Sequence, residues 1–70
     1  MTGEERRRGI EQILSQSSRP VSAAALARRF GVSRQIIVGD VALLRAAGGA
    51  IDATPRGYVA RRAGTGLLRQ

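Results

Sequence analysis

The sequence predicts a mainly helical domain, in which three helices are followed by a small β-hairpin. Two helical patterns meet at Gly31-Val32-Ser33 with almost nothing between them, and the pattern AIDATPRGYVA at 50–60 follows the second. Two helices joined by so short a turn form a helix-turn-helix, and a hairpin directly after it is a wing. The predicted fold is therefore a three-helix winged helix-turn-helix over residues 1–60.

The first helix is expected to run from about Gly3 to Gln16. Thr2 and Glu5 have the spacing of a capping box, in which each side chain accepts a hydrogen bond from the other residue's backbone amide. The apolar face of this helix is expected to consist of Ile10, Ile13 and Leu14. Pro20-Val21, after the helix, is a candidate for a short first strand.

The second and third helices begin with the same signal. In each, a serine caps the helix, and the preceding valine can contact an aliphatic residue four positions into the helix. The two sets are Ser22 with Val21 and Leu26, and Ser33 with Val32 and Ile37. The expected buried stripes are Leu26, Ala27 and Phe30 in the second helix, and Ile37, Val41 and Leu44 in the third. Gly31 is suited to end the second helix in a left-handed conformation, and Gly48-Gly49 to stop the third.

The wing is predicted as strands at 50–54 and 58–60 around the turn Pro55-Arg56-Gly57. Residues 61–70 are expected to be a linker or a frayed tail. Leu67-Leu68 in that tail fits either the start of a following domain or a dimer contact.

Charge and composition limit the classes of function that the chain can have. The 70 residues carry a formal charge of +7, and all twelve basic residues are arginines. Composition alone fits a phosphate-binding surface or a bias in codon usage about equally. No cysteine or histidine is present and the five carboxylates are scattered, so no catalytic residue, metal site or cofactor is expected, and the chain is not expected to be an enzyme.

Location and ligands can also be anticipated. No apolar run approaches the roughly 18 residues of a membrane span, and the N-terminus lacks the apolar stretch of a signal peptide. A cytoplasmic protein without membrane contact is the simplest expectation. A core this small is not expected to hold a pocket of a few hundred Å³, the usual size of a small-molecule site, so no small-molecule effector is expected to bind this chain.

The start of the third helix carries the residue types that contact bases. The second helix of a helix-turn-helix lies in the major groove with its N-terminal residues towards base edges. Arg34 suits guanine or a phosphate, Gln35 suits adenine, and the amides near Ser22 and Ala23 suit a phosphate. The candidate DNA-binding residues are Ser22, Ser33, Arg34, Gln35, Val38, Gly39, Arg45 and Arg56.

Several of the charged residues have a second interpretation. Arg28, Arg29 and Arg45 sit near helix C-termini, where they can simply complement the helix dipole. Arg56 at the wing tip fits either DNA contact or mere exposure. Asp40 would repel phosphate and is expected to be a structural acceptor for an arginine.

The stretch LARRFGVSRQIIVGDVALLRAAG resembles the type-11 helix-turn-helix of biotin-repressor-like and DeoR-like regulators. With RPVSAAALARRFGVSRQ and ATPRGY, residues 3–60 most resemble the N-terminal winged-helix domain of niacin-responsive transcriptional repressors. The resemblance implies repression of genes for NAD precursor metabolism and uptake. It also implies a larger ligand-binding domain with three conserved histidines, which this chain does not contain. Gly39 departs from the larger polar residue usual in that family.

The leading hypothesis is a sequence-specific DNA-binding module of a bacterial-type transcriptional regulator, without its effector domain. Double-stranded DNA is then the expected partner, with a homodimer expected on paired half-sites. The alternative is a winged helix for protein contacts, or a DNA-binding remnant without regulatory output. Arg34-Gln35 favours the first, because a protein-contact winged helix has no need of it.

Overall fold

The computed structural model describes residues 2–61 and has three helices followed by an antiparallel hairpin, as predicted. The elements are α1 (Gly3–Gln16), α2 (Ala23–Phe30), α3 (Arg34–Ala46), β1 (Ile51–Thr54) and β2 (Gly57–Ala60). Of the expected tail only Arg61 is described, so the remainder of 61–70, with Leu67-Leu68, lies outside the described residues.

The predicted helix caps are all present. Thr2 and Glu5 form the capping box. The hydroxyl of Ser22 accepts the amide of Ala25 at 3.1 Å, and that of Ser33 accepts the amide of Ile36 at 3.2 Å. These local hydrogen bonds fix where each helix begins, because they satisfy amides that have no partner within the helix.

The turn between α2 and α3 depends on Gly31, which has a φ of 67°. The amides of Gly31 and Val32 both donate to the carbonyl of Ala27, the latter at 3.0 Å. A side chain is strained in this left-handed conformation, so glycine is favoured. The turn brings the start of α3 back across α2.

The core lies where the three helices meet the first strand. Its buried members are Ile10, Leu14, Leu26, Ala27, Ile37, Val41 and Ile51. Ile13, Phe30 and Leu44, expected to be buried, are only half-buried and pack at the edge of the core. Phe30, the last residue of α2, lies against Gly9, where an added Cβ would come within 2.9 Å of two ring carbons. Its ring fills the gap between α1 and α2 and does not reach the centre of the hydrophobic core.

The hairpin differs slightly from the prediction. Its strands pair from Ile51 with Ala60 to Thr54 with Gly57, so Gly57 belongs to the second strand and the turn is Pro55-Arg56. The expected strand at Pro20-Val21 is reduced to one bridge, in which Val21 and Tyr58 exchange two hydrogen bonds of 2.9 Å. This bridge ties the wing to the segment that leads into α2.

Gly57→Ala is expected to loosen the wing. Gly57 has a φ of 142°, and an added Cβ would lie 2.6 Å from the carbonyl carbon and oxygen of Val21. Strained backbone of this kind costs about 1–3 kcal/mol, and the clash acts directly on the bridge between Val21 and Tyr58. Hydrogen exchange should show faster exchange of the Tyr58 amide. Gly48→Ala is the control, since it also has positive φ but open space around it; equal effects on Tyr58 would contradict the prediction.

Asp40 is the structural acceptor that the sequence predicts. Its carboxylate is buried in α3 and takes hydrogen bonds from the guanidinium groups of Arg6 and Arg7, in the second turn of α1. The hydrogen bond from Arg6 holds the pKa of Asp40 below its usual range, against the opposing effect of burial. This cluster fixes α1 against the middle of α3.

The Asp40 cluster makes stability sensitive to acid. A carboxyl group whose pKa is lower in the folded state stabilises the fold above its unfolded pKa, and this contribution is lost as the pH falls below about 4. Asp40→Asn is expected to reduce the free energy of unfolding at neutral pH by about 1–3 kcal/mol and to flatten its loss on acidification. Urea titrations between neutral and acid pH measure both.

Asp52→Asn is the matched control. Asp52 pairs with Arg61 at 2.7 Å on the surface, and hydrogen bonds from Arg61 lower its pKa as well. Because that pair is exposed, water screens it and its contribution to stability is small. If both variants changed the acid profile equally, the cluster at Asp40 would not be the source of the acid sensitivity.

Candidate nucleic-acid interface

A groove of about 320 Å³ opens between the start of α2, the first half of α3 and the hairpin. Four of the eight predicted site residues line it: Ser22, Arg34, Val38 and Arg56. They come from three separate elements, and the bridge between Val21 and Tyr58 holds the wing beside the helices. The groove therefore forms only when the two helices and the hairpin are packed together.

The start of α2 contributes backbone donors to this groove. The hydroxyl of Ser22 satisfies Ala25, whereas the amides of Ala23 and Ala24, the first two residues of α2, have no acceptor earlier in the helix. Both alanines line the groove. Amides in this position can donate to a phosphate oxygen, and the small side chains leave room for it.

The turn of the wing fixes Arg56 at the rim. The hydroxyl of Thr54 donates to the carbonyl of Gly57 at 2.7 Å and accepts the amide of Arg56 at 3.2 Å. The backbone of Arg56 is thus held, while its side chain is exposed. Sequence reasoning missed the role of Thr54, although a threonine before Pro-Arg-Gly is a recognisable turn signal.

The other four predicted site residues lie outside the groove lining. Ser33, the N-cap of α3, is exposed, as are Gln35 and Gly39 on the helix itself. A Cβ added at Gly39 would meet nothing within 4 Å. Arg45 is exposed in the last turn of α3. Hydrogen bonds from Arg61 lower the pKa of Asp52 in β1, and the positive charge of Arg45 lowers it further. Arg45 therefore also interacts electrostatically with the wing.

Ion pairing leaves the groove positively charged. Within residues 2–61, the carboxylates of Glu4, Asp40 and Asp52 pair with arginines of α1 and with Arg61. In the same described part of the chain, neither Arg34 nor Arg56 has an ion-pair partner. Their charge is available to an anionic ligand. Arg28 and Arg29 lie in the last turn of α2, outside the groove lining.

A second groove of about 510 Å³ lies on another surface, between α1 and the hairpin. Its lining comprises Glu11, Gln12, Leu14, Ser15, Ala50, Ile51, Ala60 and Arg61. The expectation concerned a pocket within the core, and neither groove is enclosed there. Both grooves lie between the hairpin and the helices, and both are open to solvent.

Residues 2–61 contain neither a cluster of metal-binding side chains nor a helix that could span a membrane. Between residues 2 and 61, no three carboxylate, histidine or cysteine side chains come close enough together to hold a metal ion. No helix in that range combines the length and apolar character that crossing a membrane requires.

The three helices and the hairpin form a winged helix-turn-helix, a class of domain that binds DNA. The family model described as "HTH domain" matches residues 6–59, more than half of the chain. The chain belongs to this helix-turn-helix family.

Two curated relatives carry repressor names. The chain is 50% identical over 66 residues to "Probable transcription repressor NiaR" of Thermotoga maritima, covering 94% of this chain and 38% of that protein. It is 41% identical over 59 residues to "Transcription repressor NadR" of Bacillus subtilis. This match covers 84% of this chain and 33% of that protein. The chain thus spans 38% of the length of the first relative and 33% of the length of the second.

Proposed function

We propose that this chain is the sequence-specific DNA-binding module of a bacterial transcription repressor, acting in the cytoplasm on genes of NAD and niacin metabolism. The observation that carries the DNA-binding part is the shared groove, in which Arg34 and Arg56 stand without ion-pair partners beside the start of α2. The regulatory part is supported by likeness to two repressors, and by the sequence resemblance to niacin-responsive regulators.

In the proposed complex, α3 lies in the major groove. Arg34 and Gln35, at its N-terminus, face base edges, where arginine can bind guanine O6 and N7 and glutamine can bind adenine. Ser22 and the backbone amides of Ala23 and Ala24 bind one phosphate of the DNA. Arg56 on the wing binds another. Arg45 is assigned a phosphate at the far end of α3. A second copy of the chain on an adjacent half-site would double this surface.

Binding to duplex DNA is expected to depend steeply on salt. If about four phosphates are neutralised, the slope of log K against log salt is about −3.6, which weakens binding about 150-fold between 50 and 200 mM. Fluorescence anisotropy with a labelled 20-base-pair duplex measures the slope. No binding, or a flat slope, would reject the proposal.

Two variants that each remove one positive charge show which surface of the domain contacts the DNA. Arg56→Ala should reduce the magnitude of the salt slope by about 0.9, the value for one phosphate. Arg8→Ala removes the same charge from α1, where Arg8 is exposed beside Glu4, and should leave the slope unchanged. Equal changes would place the DNA elsewhere on the domain.

The protein-interaction alternative has one observation in its favour. Ile36 and Leu43 are exposed on α3, with Leu43 56% accessible. Leu43 has no place in the core. The salt titration separates the two functions, since a domain used only for protein contacts has no reason to bind duplex DNA.

A further inference from the structure

Val38 is an exposed aliphatic side chain in the groove that Arg34 and Arg56 also line. Three large hydrophobic side chains are exposed within residues 2–61, namely Ile36 (43%), Val38 (47%) and Leu43. Of these, only Val38 lines the groove beside Arg34. The two residues are four apart on α3, so they share one face and are about 6 Å apart along the helix axis.

The surroundings of Val38 leave its isopropyl group free to meet a ligand. Val38 takes no part in the core, to which its neighbours Ile37 and Val41 belong. The following residue, Gly39, has no side chain, and the space around it is open. A ligand that fills the groove therefore reaches Val38 without displacing another side chain.

The chemistry of Val38 limits what it can recognise on DNA. Its side chain has no hydrogen-bonding atom, so it can discriminate bases only by apolar contact. In the major groove, thymine is the base that presents a methyl group, and aliphatic side chains contact it. A contact of this kind complements the hydrogen bonds available from Arg34.

We propose that Val38 is a specificity-determining residue that contacts the C5-methyl group of a thymine. The proposal rests on the proposed function, because it takes α3 to lie in the major groove. A separation of about 6 Å along the helix corresponds to about two steps of 3.4 Å along a DNA strand. The thymine contacted by Val38 therefore lies about two base pairs from the guanine contacted by Arg34.

Deoxyuridine tests this contact, because it differs from thymidine only by that methyl group. The full chain is used at low salt to select a preferred site from a randomised duplex pool. Each thymine of the selected duplex is then replaced singly by deoxyuridine, and Kd is measured by anisotropy. One replacement, about two base pairs from a selected guanine, is expected to raise Kd about fourfold, the effect of one buried methyl group.

Two variants assign the effect to Val38. Val38→Ala is expected to bind the thymine and deoxyuridine duplexes equally, so that the double-mutant cycle shows coupling between the side chain and the methyl group. Ile36→Ala is the control, since it shortens an equally exposed aliphatic side chain outside the groove, and it should retain the fourfold difference. Alanine favours the helix at both positions, so both variants should fold.

The outcomes separate this inference from the proposed function. If the chain selects no site, the proposed function and the inference fail together. If a site is selected but no deoxyuridine replacement weakens binding, the inference fails and DNA binding stands. The same holds if the discrimination survives in Val38→Ala.

Discussion

Ile37→Ala is expected to leave the domain largely unfolded at physiological temperature, whereas Ile36→Ala is expected to leave it folded. The two isoleucines are adjacent in sequence, but the side chain of Ile37 is 0% exposed and that of Ile36 is 43% exposed. Truncating a buried isoleucine costs about 2–5 kcal/mol, and a domain of this size has a total stability of roughly 3–5 kcal/mol.

The position of Ile37 makes this loss cooperative. It belongs to the core cluster together with Ile10 and Leu14 of α1, Leu26 of α2 and Ile51 of β1. A cavity there weakens the contacts that hold α3, and with it the predicted base-contacting residues, against the rest of the domain.

Thermal melts followed by circular dichroism give the comparison, with Ile36→Ala as the matched control for residue type and helix. Ile36→Ala should melt within a few degrees of the parent chain. A cooperative melt of Ile37→Ala at the parent temperature would mean that α3 packs with a different face towards the core.

Arg34→Ala is expected to abolish the preference for one base pair in the binding site. An arginine that donates two hydrogen bonds to guanine is worth about 1–3 kcal/mol of discrimination. Arg34 is the first residue of α3, is exposed, and lines the groove. Selection from a randomised duplex pool, carried out in parallel for the variant and the parent chain, gives the preferred sequences.

Arg56→Ala is the charge-matched control for this experiment. Arg56 lies on the wing turn and is assigned a phosphate, so its loss should weaken binding to all sequences alike and leave the preferred site unchanged. Gln35→Ala should relax preference at a neighbouring position. An unaltered preferred site in both the Arg34 and Gln35 variants would show that α3 is not the element that contacts bases.

Much of the fold follows from short-range signals in the sequence. The boundaries of α1 and the caps at Ser22 and Ser33 are as predicted, because a cap is a hydrogen bond between residues three apart. Gly31 adopts the left-handed conformation that its position predicts. Such features depend on neighbours along the chain, so the order of residues is sufficient to predict them.

Burial at the edges of the core was predicted less well. Periodicity marks which face of a helix is apolar, but it does not say how much of that face another element covers. Phe30 and Leu44 lie on the predicted faces and are only half-buried, because each stands where its helix leaves the core. Ile51, a core residue, gave no comparable signal, since a four-residue strand is too short for a clear alternation.

The candidate site also has features that the sequence shows and features that only tertiary packing decides. The residue types at the start of α3 and the cap at Ser22 are visible in the sequence, as is the need of Asp40 for an arginine partner. Which arginines serve Asp40 was decided by the packing of α1 on α3, which brings Arg6 and Arg7 to it from more than 30 positions away. The bridge from Val21 to Tyr58 likewise brings Arg56 into one groove with Ser22 and Arg34. These are contacts between segments far apart in the chain, and they form only when the core brings those segments together.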